Sequence, residues 1–169
     1  MNQNVVTLDL RRTTLYVWED KKPIRAIDYM LRAMEAGAEF PPVRVCEIPG
    51  GYELVIYRED PHDFYVDGGH KRAIAHLIAG VPLKCTVWKK SDKRYMRTNV
   101  RDVSLVSDAE AGVSEAYYAS VRECWPSVDF IKGNAVLALP KGIPCLTVAE
   151  ASQLVRAQGG LEARLTRQK

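Results

Sequence analysis

The sequence predicts an α+β protein: a small mixed sheet with flanking helices, followed by a helical C-terminal part. Three observations predict it. Apolar runs of strand length recur between Pro-, Gly- and Asp-rich turns in residues 1–104. Two stretches among them carry apolar residues at spacings of three and four, the face of a helix. Beyond residue 105 helical spacing dominates, and the division expected is 1–104 and 105–169. A chain of 169 residues, 47% hydrophobic and 27% charged, can bury a real core. That composition excludes disordered, collagen-like and coiled-coil chains. No run of about 18 apolar residues exists, so no membrane partner is expected. The opening MNQNVVTLDLRR reads as a strand, not a signal peptide, and a cytoplasmic protein is the expectation.

Val5, Val6, Leu8 and Leu10 open the chain as a strand, and Leu15 to Trp18 form a second apolar run. Asp20 and Pro23 start a helix, because proline is tolerated in a first turn. Ile24, Ile27, Leu31 and Met34 share its inner face, and Gly37, backed by Pro41 and Pro42, ends it. Val43, Val45 and Ile48 alternate with polar residues as a half-buried strand. Pro49-Gly50-Gly51 is a turn, Tyr52 to Arg58 a strand, and Phe64 to Val66 a shorter one. A helix then carries Ala73, Ile74, Leu77 and Ile78 and stops at Gly80. A strand through Cys85, Val87 and Trp88 follows, with a hairpin at Ser91-Asp92-Lys93 returning through Arg94 to Thr98. Ser107-Asp108 caps a helix that reaches Cys124, and Pro126 stops it. Val136 to Leu139 is a short apolar run. Thr147 caps a last helix through Val148, Ala151, Leu154 and Val155, which Gly159-Gly160 ends.

Cys46, Cys85, Cys124 and Cys145 show no CxxC pairing and no zinc spacing. They read as small hydrophobes in a reducing compartment. The net charge is +3, but residues 84–101 alone carry +6, which leaves −3 for the rest of the chain. This segregation points to one basic surface.

The segment richest in chemistry is the strand–Gly-Gly–helix of residues 64–79. A helix N-terminus has unpaired amides and a partial positive charge. Gly68 and Gly69 would let a ligand approach the backbone closely. His70, Lys71 and Arg72 follow in the first turn, where cations oppose the helix dipole unless an anion such as a phosphate sits there. The bland alternative is a tight turn with solvated Lys and Arg. The P-loop and the dinucleotide fingerprint are both missing. His70 would hydrogen-bond a phosphate oxygen or act as general acid or base; otherwise it is an exposed loop histidine. Asp67 is the best-placed carboxylate for Mg²⁺, ahead of Asp60 and Asp63, which suit turns. Glu19 and Asp20 are further acidic candidates just before the first helix.

The run Tyr65-Val66-Asp67-Gly68-Gly69-His70-Lys71-Arg72-Ala73 through Gly80 resembles the ParB/sulfiredoxin superfamily. Its Gly69-His70-Lys71-Arg72 looks like the family's Gly-x-x-Arg box, and the preceding elements follow the family's order over residues 4–90. The resemblance implies a ParB/sulfiredoxin-like fold that holds ATP or another NTP by its phosphates at this helix start, with Gly69 and Arg72 matching the box and Gly68 preceding it; His70 and Lys71 join Gly68, Gly69 and Arg72 as phosphate-binding candidates from the helix-terminus reading. In the mechanism expected from the residues, the helix N-terminus, Lys71 and Arg72 stabilise charge on the phosphoryl oxygens and His70 or Asp67 assists proton transfer or holds Mg²⁺, so the catalytic candidates are His70, Asp67 and Arg72, with Asp67 as the metal ligand. His70 stands where sulfiredoxins carry a catalytic cysteine, so their thiol chemistry is not expected. His70 and Lys71 also replace the Glu-Arg of the partition proteins' box.

Lys84, Lys89, Lys90, Lys93, Arg94 and Arg97 surround Trp88 and Tyr95, and a hairpin would line them along one ribbon. Basic charge gives affinity for phosphodiester chains and aromatic rings stack on unpaired bases. Lys89, Lys90, Lys93, Arg94 and Arg97 are therefore the DNA-binding candidates. The alternative is a solvated hairpin with Trp88 in the core. The function expected is a nucleotide-binding, DNA-binding ParB-like protein that hydrolyses NTP or phosphodiester bonds, in a plasmid or mobile-element setting. Two other readings are a free-serine-kinase-type phosphotransferase and a non-enzymatic nucleotide sensor that binds a protein partner through its C-terminal helices.

Overall fold

The computed structural model describes residues 4–55, 68–89, 97–124 and 135–161, with the side chains of 120–124 set aside. Among them it is α+β, with two sheets and five α-helices. The larger sheet is mixed and six-stranded. Its strands are β1 (Asn4–Leu8), β2 (Leu15–Val17), β4 (Val43–Ile48), β5 (Gly51–Leu54), β6 (Leu83–Trp88) and β7 (Thr98–Asn99), in the order β1-β6-β4-β5-β2-β7. The smaller sheet joins β3 (Lys21–Pro23), β8 (Ser104–Val106) and β9 (Cys145–Thr147) in the order β3-β8-β9.

Helices α1 (Ile24–Glu35), α2 (His70–Ala79) and α5 (Val148–Ala157) enclose the core with the inner face of the larger sheet. The apolar spacing read for α1 places Ile24, Ile27 and Leu31 in that core, with Met34 packed partly buried against it. The segment before it differs from expectation. Lys21 to Pro23 is strand β3, paired in parallel with β8, and Pro23 is the cap of α1 rather than a first-turn residue. A tertiary strand partner decides this, and no local signal in three residues announces it.

The helix expected from Ser107 to Cys124 is two helices, α3 (Asp108–Ala111) and α4 (Glu115–Cys124). Gly112 takes a left-handed conformation (φ 69°) and closes α3. Ser107 caps α3 as read, and Thr147 forms a capping box with Glu150 at the start of α5. The division at residue 105 falls inside β8, which pairs with residues 21–23 on one side and 145–147 on the other. Val136, Leu137, Val148, Ala151 and Val155 belong to the same core as Leu15, Ile27 and Ile74. The buried Asp28 carboxylate stitches the two parts together. Its Oδ1 accepts from the amides of Val136 at 2.7 Å and Leu137 at 2.9 Å, and its Oδ2 lies 3.0 Å from Nε of Arg32.

Cys46 and Cys85 are buried and Cys145 is exposed. Burial pushes the Cys85 thiol up to about 12, which keeps it a neutral apolar filler. No helix among the described residues is long and apolar enough to cross a membrane.

Candidate functional site

Helix α2 begins as expected and is flanked by Gly68 (φ 65°) and Gly69 (φ 100°). Gly69 is needed twice over. Its backbone is left-handed, and a Cβ there would meet Val43 Cγ1 at 2.9 Å. Among the described residues no side chain caps the helix, and its first turn holds no acidic residue. The end of the helix thus keeps its partial positive charge.

Two of the three basic side chains behind those glycines, His70 and Lys71, are buried, and Arg72 is half-buried. His70 is 0% exposed. Its Nε2 accepts from the backbone amides of Trp18 and Glu19, each at 3.2 Å, and its ring meets Trp18 edge-on at 4.1 Å between centroids. Two amide donors on Nε2 assign the proton of the neutral ring to Nδ1. That atom lies 3.9 Å from Oε2 of Glu19, which also takes the ammonium of the buried Lys22. The exposed-loop alternative for His70 is thereby corrected: α2 and the β2–β3 connection close over it.

Lys71 is likewise 0% exposed. Its Nζ lies 3.1 Å from the Tyr117 hydroxyl and 4.9 Å from the centre of that ring. Arg72 donates through Nη1 to the carbonyls of Pro41 at 3.0 Å and Pro42 at 3.1 Å. Gly68 and Gly69 are buried as well. Asp67 lies outside the described residues, as do Asp60 and Asp63. Among the described residues no group of three or more His, Cys, Asp or Glu could hold a metal ion.

Sequence reasoning undervalued Glu19 and missed Tyr117. Glu19 is half-exposed and reaches the start of α2 from 51 residues away. A cavity of about 300 Å³ runs along the side of α2, lined among others by Phe40, Pro41, His76 and Leu83, and none of Gly68 to Arg72 lines it. His76 Nδ1 donates to the Arg72 carbonyl at 2.6 Å, and burial lowers its pKa.

The basic segment is arranged differently from the expected ribbon. Thr98 and Asn99 pair with β2, at the opposite side of the sheet from β6. Lys84 and Lys89 therefore stand apart from Arg97, with β4, β5 and β2 between. Lys90, Lys93, Arg94 and Tyr95 lie outside the described residues. Trp88 is not in the core. Leu83 and Cys85 face the core, so Lys84, Thr86 and Trp88 alternate onto the outer face. The same alternation puts Arg44, Glu53 and Tyr16 there. Arg44 sits over the Trp88 ring, 5.2 Å from its centre. Arg97 Nε pairs with Glu53 Oε2 at 2.7 Å.

No protein-family model, curated protein or solved structure matches the chain.

Proposed function

We propose that the protein binds a nucleoside triphosphate at the start of α2 and acts on DNA, hydrolysing the triphosphate or phosphodiester bonds, with a ParB/sulfiredoxin-like fold in its first half. The observation that carries the reading is the end of α2. It is a ten-residue helix entered through two left-handed glycines, with no capping side chain among the described residues and no first-turn carboxylate. A phosphate there would meet the partial positive charge of the helix. Arg72 would exchange two neutral carbonyl acceptors for an anionic oxygen, the stronger acceptor for a guanidinium. His70 and Lys71 act in this reading as positioning residues, since they tie the helix start to the Trp18–Glu19 backbone and to Tyr117. Any proton moved by His70 would pass through Nδ1 toward Glu19.

Thermal shift and phosphate release with ATP, CTP and GTP in the presence of Mg²⁺ test the reading. At least one nucleotide is expected to raise the melting temperature of the wild type. Arg72→Ala, measured against its own unliganded melting temperature, is expected to lose that rise. Absence of a rise with every nucleotide would overturn the proposal.

The position of Glu19 favours a second reading, a small-molecule phosphotransferase. A half-exposed carboxylate beside the helix start is suited to take a proton from an acceptor hydroxyl. This reading predicts phosphate transfer that requires a hydroxyl acceptor such as free serine. It also predicts that Glu19→Gln abolishes transfer while the nucleotide-induced thermal shift persists.

A further inference from the structure

We propose that β1 is a docking edge for a second copy of this chain. Two β1 strands pair antiparallel about a two-fold axis at Val6 and join two six-stranded sheets into one.

A strand at the end of a sheet offers a row of backbone donors and acceptors to any other strand. Proteins guard such edges with short strands, lysine or proline. Four strands end the two sheets, β1 and β7 in the larger, β3 and β9 in the smaller. Three are guarded: β7 is two residues long, β9 is three, and β3 reads Lys21-Lys22-Pro23. β1 carries no such guard. Its five residues, Asn4-Val5-Val6-Thr7-Leu8, include no charge and no proline. Among the described residues it pairs with β6 alone, so its other side is open. Asn4, Val5 and Thr7 are exposed, and Val5, at 64%, is the most exposed large hydrophobic side chain among the described residues.

The register of the sheet shows why a second copy fits. Val5 is opposite Thr86 and Thr7 opposite Lys84 on the outer face, whereas Val6 is opposite the buried Cys85 on the inner one. A two-fold axis at Val6 uses the whole strand. Asn4 meets Leu8 of the second copy, Val5 meets Thr7, and Val6 meets Val6. Each pair joins side chains of one face, so both inner faces stay on the same side. The inner row at the axis then reads Cys85, Val6, Val6, Cys85. It is apolar throughout, and Val6 already packs against the core of its own chain. Cross-strand pairing of β-branched side chains is favourable. The outer row beside it reads Lys84, Thr7, Val5, Thr86. The two Lys84 side chains stand in different rows and at least three strand steps apart, about 14 Å. That exceeds the screening length of about 8 Å at physiological salt.

Self-pairing also closes the assembly. It satisfies both open edges at once, and the two-residue β7 is too short to carry the sheet further, so the product is a dimer and not a fibre. Five residues a side fall short of the about 20–30 of a standard interface, so the dimer is weak and forms at high concentration.

Sedimentation velocity of the full chain over about 1–500 µM tests the proposal, a range set by the affinity of so small an interface. The wild type is expected to pass from monomer to dimer with a midpoint of about 10–100 µM, and to go no further. The double variants Val5→Lys with Thr7→Lys and Val5→Glu with Thr7→Glu each set like charges opposite one another twice across the axis. Each is expected to raise the midpoint about tenfold or more. Mixed in equal amounts, the two variants face lysine with glutamate, and the dimer is expected to return. Both positions are exposed, and melting temperatures taken at low concentration show that the variants fold. Amide hydrogen exchange of the wild type is the second measurement and decides the matter if a variant does not fold: residues 4–8 are expected to exchange more slowly at the high end of the range than at the low end. A wild type that stays monomeric, a dimer that the like-charge variants leave unchanged, a mixture that does not re-form it, or equal exchange of residues 4–8 at both concentrations would overturn the inference. Growth past the dimer would overturn the two-fold pairing.

Discussion

At the start of α2, His70 and Lys71 are fully shielded from solvent and direct their polar atoms to the Trp18 and Glu19 amides and to Tyr117. On the outer face of the sheet Lys84 is exposed, and so is Lys89 at the end of β6. The residue types are alike and their work differs. A shielded cation must have internal partners, so it organises the protein around itself. An exposed cation needs none, so it remains available to a polyanion. Basic residues adjacent in sequence are therefore a weak guide to a ligand site until burial is known.

This contrast can be broken by substitution. The largest effect is expected for His70→Ala, which leaves two amides without their acceptor and a gap beside Trp18. Urea denaturation should show a loss of about 2–4 kcal/mol. A loss below about 1 kcal/mol would mean that the ring does not hold the α2 start. Next, Lys71→Ala should cost about 2 kcal/mol, whereas Lys89→Ala should change stability by about 0.5 kcal/mol or less. Equal effects of the two would erase the distinction between the regions. Tyr117→Phe removes the hydroxyl beside Lys71 but keeps the ring, so a loss of about 1 kcal/mol is expected.

The smallest expected effect concerns pH. Burial holds the pKa of His76 below its ordinary 6.5 in the folded protein. As pH falls past that value the unfolded chain takes up the proton first, so this group makes the folded state less stable in acid. Denaturation midpoints measured from neutral pH downward should therefore decline less steeply in His76→Gln than in the wild type. An identical slope would show that His76 is solvated.

Much of the fold was legible. The α1 spacing, the Gly68-Gly69 entry to α2, the Gly80 stop and the Thr147 cap are all local signals, carried by residues within a turn of one another. The candidate site was legible only as a backbone feature. That His70 meets the Trp18–Glu19 backbone, that Lys71 meets Tyr117 and that Arg72 meets Pro41 are contacts between residues 31 to 52 positions apart. Spacing along the chain carries no trace of them. The expected basic ribbon failed for the same reason: Thr98 and Asn99 found β2 instead of β6.

By itself the sequence determined the α+β class, the inner face of α1, the Ser107 and Thr147 caps and the two glycines that open α2, because periodicity, capping and φ preference act over a few residues. Only the tertiary structure decided which cations are buried, that Trp88 faces away from the core, and that residues beyond 105 complete the same interior. Those outcomes depend on strand order and on which distant side chains supply hydrogen bonds, and both are set by packing the whole chain at once.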